Sequence, residues 1–399
     1  MTDDDVPERP WATRIGKSVL VLAPHPVALT RLRDLLPLVE SDHRVQHVYS
    51  VPDDGEDRPD AADLVRADGG ILLPARQAGR MSHGLVLAGS TRGLDDVAGP
   101  ALLVPHGGGL GQYRSGERVT GLDSAQLVRA GRVRADRIVL THARELDLLA
   151  ETCPQAVPHA VVAGDIAFDR LVASLPYRER YRRKLGVRPG QELVVVTSTW
   201  SARSGFGVDP ELFRRVVDAA PGAQVVASLH PQIWSQHGTG QVLGWLSDAI
   251  EAGLTVLAPH TDWRGAFVAA DCVMADYTSV GCFAAGLGTP VLRIPHGPQP
   301  LLPGTPAAVL AEHTPLWDAT RPLLPQLAAA RAAVDSDLGA HIAGLLTSRP
   351  GQAGKILRKT MYDLLELDEP ARAVPVSPAP LPRRLTWPMI PVPRSRTHG

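Results

Sequence analysis

Asp271-Cys-Val-Met-Ala-Asp276-Tyr277-Thr278-Ser279-Val-Gly-Cys-Phe-Ala-Ala-Gly-Leu-Gly288-Thr-Pro290-Val-Leu292 reads as a short buried strand, a polar turn, a helix of small residues and a second apolar strand. A helix opening at Thr278-Ser279 offers unpaired backbone N–H groups, two hydroxyls and the positive end of its dipole to an anion. Alanine and glycine in its first turns let the backbone approach a ligand, and Gly288-Thr-Pro290 ends the helix before the next strand. Ser or Thr at a helix start is also ordinary capping, so the weight of this segment depends on its surroundings.

Those surroundings alternate short apolar runs with stretches of helical period. In the first half the runs are 19–23, 44–51, 71–73, 86–87, 101–104, 137–140 and 159–163; in the second they are 193–197, 224–228, 255–257, 272–274 and 291–294. Such alternation predicts βα units and mainly parallel sheets. A break at Leu175-Pro176 divides the chain into domains at 15–175 and 176–350, preceded by a disordered 1–14. The fold class expected is α/β, with two doubly wound, Rossmann-like domains facing each other across a cleft. A C-terminal helix at 351–369 follows, packing back on the first domain, and then a Pro/Arg-rich tail at 370–399, expected to be disordered.

Composition narrows the function classes only slightly. A formal net charge of −1 gives no field for nucleic acid. Cys153, Cys272 and Cys282 form no Cys-x-x-Cys pair, and no metal or organic cofactor is expected. No apolar run approaches the roughly 18 residues of a membrane span, and the opening Met1-Thr-Asp-Asp-Asp5 is unlike a signal peptide. A cytoplasmic protein is expected. The basic helix 178–184 and the tail with Trp387 are candidates for weak peripheral contact with an anionic inner-membrane surface, against the alternative of a solvated helix face.

Five polar motifs fall where predicted strands end, the place at which doubly wound sheets bind ligands. His106-Gly107-Gly108-Gly109 can nest a diphosphate, with His106 as a general base. Gly164-Asp165 is either a ligand loop or a turn and helix cap. Ser198-Thr199-Trp200 offers hydroxyls for phosphate and a ring for a base or sugar, or simply satisfies a turn. His230, stiffened by Pro231, can donate to a diphosphate or protonate a leaving group; Asp276-Tyr277-Thr278-Ser279 lies two strands further on. Gly16-Lys17-Ser18 is no P-loop, because it precedes its strand and position 11 is Trp.

In this order, Val104-Pro-His106-Gly107, Gly164-Asp165 to Asp169, Ser198-Thr199-Trp200, Leu229-His230-Pro231 and Ala275-Asp276-Tyr277-Thr278-Ser279 resemble the motif series of the CDP-glycerol glycerophosphotransferase family, which includes the teichoic-acid polymerases. The resemblance covers roughly residues 100–295. It implies the two-domain GT-B fold, a nucleotide-activated donor of CDP-alcohol type and a hydroxyl acceptor. It also implies His106 as the base, His230 on the donor diphosphate and Thr278 with Ser279 on the donor phosphates. The sequence departs from the family after the Ser/Thr pair, at Gly281–Gly288, and after His106-Gly, where Gly-Gly-Leu replaces the usual Thr-Pro-Leu-Lys. Its small helix and Gly-Thr-Pro-Val-Leu ending are similar to nucleotide-sugar glycosyltransferases and sugar-nucleotide 2-epimerases. An inverting UDP-sugar enzyme and a non-catalytic nucleotide-binding protein are therefore the competing readings.

Overall fold

A computed structural model describes residues 16–52, 59–104, 112–114, 117–119, 121–277, 279–334 and 337–385. Seven strands form the first sheet: β1 (Lys17–Leu22), β2 (Val45–Ser50), β3 (Leu72–Leu73), β4 (Leu85–Ala88), β5 (Ala101–Leu103), β6 (Arg137–Leu140) and β7 (Ala160–Val162). Their order is β7-β6-β5-β4-β1-β2-β3, and every pairing is parallel. Five strands form the second: β8 (Leu193–Ser198), β9 (Gln224–Leu229), β10 (Thr255–Val256), β11 (Cys272–Ala275) and β12 (Val291–Arg293), ordered β10-β9-β8-β11-β12 and again parallel. Both sheets thus reverse direction beside their first strand, at β1/β4 and at β8/β11. Such switch points open a crevice at the carboxyl ends of the strands.

The apolar runs are continuous because each sheet is covered on both faces. Val19 and Val21 enter one core and Leu20 and Leu22 another; in the second sheet Val195 faces one core and Val194 with Val196 the other. Among the described residues, no helix is long and apolar enough to cross a membrane. The helix Ala353–Leu365 buries Ala353, Leu357, Met361 and Leu365 in the first domain's core, beside Val19, Val21, Leu85 and Leu87. The basic helix Arg178–Leu185 spends part of its charge internally. Arg178 and Arg182 both pair with Asp271 and donate to the carbonyls of Val268, Ala269 and Ala270, which end a neighbouring helix.

The tail differs from expectation. Residues 377–385 form an ordered strap, with Ala379 buried; Trp387 and the rest of 386–399 lie outside the described residues, as do 1–15. Ala379 N–H donates to Ser174 Oγ at 2.8 Å, Tyr181 Oη donates to the Ala379 carbonyl at 2.7 Å, and Leu385 N–H donates to the Val256 carbonyl at 2.8 Å. The strap therefore adds an antiparallel pairing to the open edge of β10, at Leu257 and Arg384. Composition gave the wrong expectation here because proline is costly only where an N–H is required. The prolines occupy 378, 380 and 382, and the bonded N–H groups belong to 379, 383 and 385. A chain ending at Glu369 is expected to lose about 2 kcal/mol and roughly 4–8 °C in melting temperature; an unchanged melting curve would show that the strap carries no stability.

Candidate active site in the interdomain cleft

A cavity of about 150 Å³ lies between the two domains. The first domain contributes one face of the helix Pro26–Arg33, namely Val27, Thr30 and Arg31 at helical spacing, together with Ala167. From the second come the strand ends Thr197-Ser198 and Ser228-Leu229, His230, the segment around His260 to Arg264, and Ser279, Val280 and Phe283 of the helix Ser279–Gly286. Among the described residues, the lining holds two arginines, two histidines and six hydroxyl side chains but no aspartate or glutamate. Such a wall suits an anion.

Each buried arginine is held by carboxylates outside that lining. Arg31 donates to Asp165 at 2.8 Å, the side chains being 5% and 0% exposed. Arg264 pairs with Asp262 and with Asp34, and Asp34 also pairs with Arg170. Asp34 follows the first domain's helix Pro26–Arg33, whereas Arg264 opens the second domain's helix Arg264–Ala269, so this network crosses the cleft. Asp165 caps the helix Ile166–Ser174, its Oδ1 accepting from the N–H groups of Ala167 at 2.8 Å and Phe168 at 3.1 Å. Burial pushes its carboxyl up, but the Arg31 charge and these hydrogen bonds outweigh burial and hold it below its usual range. Gly164 has φ +91°, and a Cβ there would stand 2.8 Å from the Arg349 carbonyl. The contacts of Gly164 and Asp165 are thus internal, and Asp165 serves the cavity by holding Arg31.

His230 caps the helix Pro231–His237, its Nδ1 accepting from Gln232 N–H at 3.1 Å. In the neutral ring this places the proton on Nε2. His25 does the same before Pro26, accepting from Ala28 N–H at 3.2 Å. A second strand-His-Pro-helix junction thus stands in the first domain, recognisable in the sequence as Pro24-His25-Pro26.

At the β8/β11 switch point the structure brings together Ser198, Thr199 and Asp276. The Asp276 carboxylate accepts from Ser198 Oγ at 3.0 Å, Thr199 N–H at 2.9 Å and Gly205 N–H at 3.0 Å. Burial raises its pKa against the pull of these donors. Tyr277 is half-buried, its hydroxyl 2.5 Å from Ser201 Oγ and its ring edge-on to His296; Trp200 is 48% exposed. None of Thr199, Trp200, Asp276 and Tyr277 lines the cavity, whereas Ser198, His230 and Ser279 do. His106, Gly107, Gly108 and Thr278 lie outside the described residues. Sequence reading missed Arg31, His260, Trp263 and Arg264. Asp262-Trp-Arg264 was legible as an unusual polar insertion before a buried helix, but nothing local tied it to Asp34.

The buried Arg31–Asp165 pair yields a pH prediction. A carboxylate held below its ordinary value stabilises the fold above that value, and the contribution is lost as pH falls through the folded-state value. Asp165→Asn removes the buried carboxylate that holds Arg31 and is expected to cost about 3–5 kcal/mol near neutrality. The difference from wild type should shrink on acidification below the usual aspartate range. Urea titrations at several pH values check this, and a pH-independent difference would refute it.

No protein-family model matches the chain, and no curated protein matches it. Among solved structures it is similar to a histidine-to-alanine variant of the wall teichoic acid polymerase TagF, at 12% identity over 89% of this chain and 90% of that one, with a TM-score of 0.57. The unaltered TagF gives 12% identity, the same shares of both chains and a TM-score of 0.56. A candidate UDP-N-acetylglucosamine 2-epimerase from Listeria monocytogenes gives 15% identity, 88% and 98% coverage, and a TM-score of 0.51. At such identities likeness speaks for architecture, and together with the two parallel sheets, ordered 3-2-1-4-5-6-7 and 3-2-1-4-5, it establishes that this chain has the GT-B fold.

Proposed function

We propose that this protein is a distant relative of the teichoic-acid polymerases, a transferase that binds a nucleotide-activated donor in its interdomain cleft. The donor we favour is a CDP-alcohol whose phospho-alcohol group passes to an acceptor hydroxyl. One observation carries the reading: among the described residues, the cavity at the strand ends presents Arg31, His230, His260, Arg264 and hydroxyls and no lining carboxylate. That wall fits a diphosphate and leaves histidine as the available type of base. The motif order is that of the glycerophosphotransferases, and a TagF structure soaked with CDPG is among the similar folds, at 11% identity and a TM-score of 0.53.

In this scheme His106 removes the acceptor's proton as its oxygen bonds to the distal phosphorus. The bond between that phosphorus and the bridging oxygen breaks, and CMP departs with the oxygen. Charge building on CMP is met by the Nε2–H of His230, by Arg31 and by the start of the helix Ser279–Gly286, with Thr278 of the sequence motif. Catalysis is then positioning plus charge stabilisation, with no covalent enzyme intermediate required. Asp276 keeps Ser198 and the Thr199 backbone in place beneath the donor rather than touching it.

A ligand that binds only the native state raises the melting temperature, by an amount corresponding to about 2.7 kcal/mol at a hundred times its Kd. CMP, CDP-glycerol and CDP-ribitol are expected to shift it, whereas UDP, UDP-N-acetylglucosamine and GDP-mannose are not. A shift confined to the UDP ligands would move the assignment to glycosyl transfer, and no shift at all would leave the non-catalytic reading. His106→Ala is expected to abolish transfer at nearly unchanged donor affinity, and the double change Thr278→Ala with Ser279→Ala to weaken donor binding. Equal loss of affinity from both variants would contradict these roles.

A further inference from the structure

His260 enters the cavity from the turn Ala258–Thr261 with φ +61°, a left-handed backbone that residues with a Cβ rarely adopt. Such a conformation persists only where its surroundings over-determine it, and it concentrates at ligand sites. Here the surroundings are the C-terminal strap. Thr261 N–H closes the turn on the Ala258 carbonyl at 3.1 Å. A single strap residue then brackets both ends of the turn. The Arg383 carbonyl accepts from Ala258 N–H at 2.8 Å, and Arg383 N–H donates to Thr261 Oγ1 at 3.0 Å. Pro382 seals the following helix, where a Cβ on Gly265 would lie 3.0 Å from its Cδ. Upstream, Arg170 holds the carbonyls of Ser377 at 3.0 Å and Pro378 at 3.2 Å while pairing with Asp34 of the first domain.

We propose that His260 is a ligand-binding residue of the cleft, donating a ring N–H to an anionic oxygen of the bound nucleotide or diphosphate, and that the strap positions it through Arg383 and Thr261. The proposal rests on the reading of the cleft as a nucleotide site. It adds a contact from outside the five sequence motifs and gives the C-terminal strap a role in binding.

The test is calorimetric titration of CMP and of inorganic pyrophosphate into the full chain, with melting curves of each variant. His260→Asn and His260→Asp both suit a left-handed backbone and are expected to fold alike, melting within about 3 °C of each other. His260→Asn should bind at least five-fold more weakly than wild type, and His260→Asp, which sets a negative charge against the ligand, at least fifty-fold more weakly. Thr261→Val, which removes the acceptor for Arg383 N–H, should lose at least three-fold, and Thr261→Ser should stay within two-fold of wild type. Equal affinities of the Asn and Asp variants would place His260 away from the ligand and overturn the contact. A Thr261→Val variant that binds like wild type would overturn the positioning role. A wild-type chain that binds neither probe would sink the nucleotide reading itself, an outcome separate from the other two.

Discussion

The buried ion network around Asp34 is the constraint on which the cleft depends. Arg170 and Arg264 share this one carboxylate, one from the helix Ile166–Ser174 and the other from the second domain's helix Arg264–Ala269. A guanidinium in a dry seam is tolerable only when paired, and removing one partner of such a pair costs more than the pair itself contributes. Asp34 is followed in the same seam by Arg31–Asp165, so the arginines at the cavity wall are held in place without a carboxylate entering the described lining. The cleft stays attractive to anions because its counter-charges stand one layer behind it.

That arrangement explains why the architecture was legible in the sequence and the site only partly so. The strands of the two parallel sheets were legible largely as short apolar runs, because a parallel sheet covered on both faces favours continuous hydrophobicity, as in Leu193-Val-Val-Val; the short antiparallel hairpins Gln112–Arg114 with Glu117–Val119 and Val128–Arg129 with Arg132–Val133, polar and outside those sheets, were not. The helix Ser279–Gly286 and its stop were legible for local reasons too; Gly288 has φ +80° just past its end. The network is different. Asp34 and Arg264 are 230 positions apart, and each alone looks like an ordinary charged residue beside a helix. Each has a partner within its own domain, Asp262 for Arg264 and Arg170 for Asp34, but only the packing of the two domains makes them partners of each other.

The motifs divide along the same line. Asp276 stands at a strand end, where ligand residues are expected, yet its carboxylate is occupied by three donors of its own domain. Sequence cannot separate a carboxylate that faces a ligand from one that staples the loop beneath it, since both call for a short acid at a switch point. The staple is still functional in consequence, because β8 and β11 end their pairing here and the N–H groups of Thr199 and Gly205 would otherwise need partners in the crevice.

The two strand-His-Pro-helix junctions add a last step. In each, proline at the first helical position needs no N–H partner, and the histidine Nδ1 takes up one orphan N–H of the helix start. In the neutral ring this cap places the proton on Nε2, which matters in a cavity whose described lining holds no carboxylate. A histidine oriented by an aspartate would bring a negative charge toward the phosphates; one oriented by backbone N–H groups does not. The helix start supplies instead a positive dipole end that favours the same anion. Under the proposed diphosphate reading, capping and ligand recognition make the same demand at His230. For that reason a residue that looks like ordinary helix chemistry in the sequence is, in the folded chain, also part of the cavity wall.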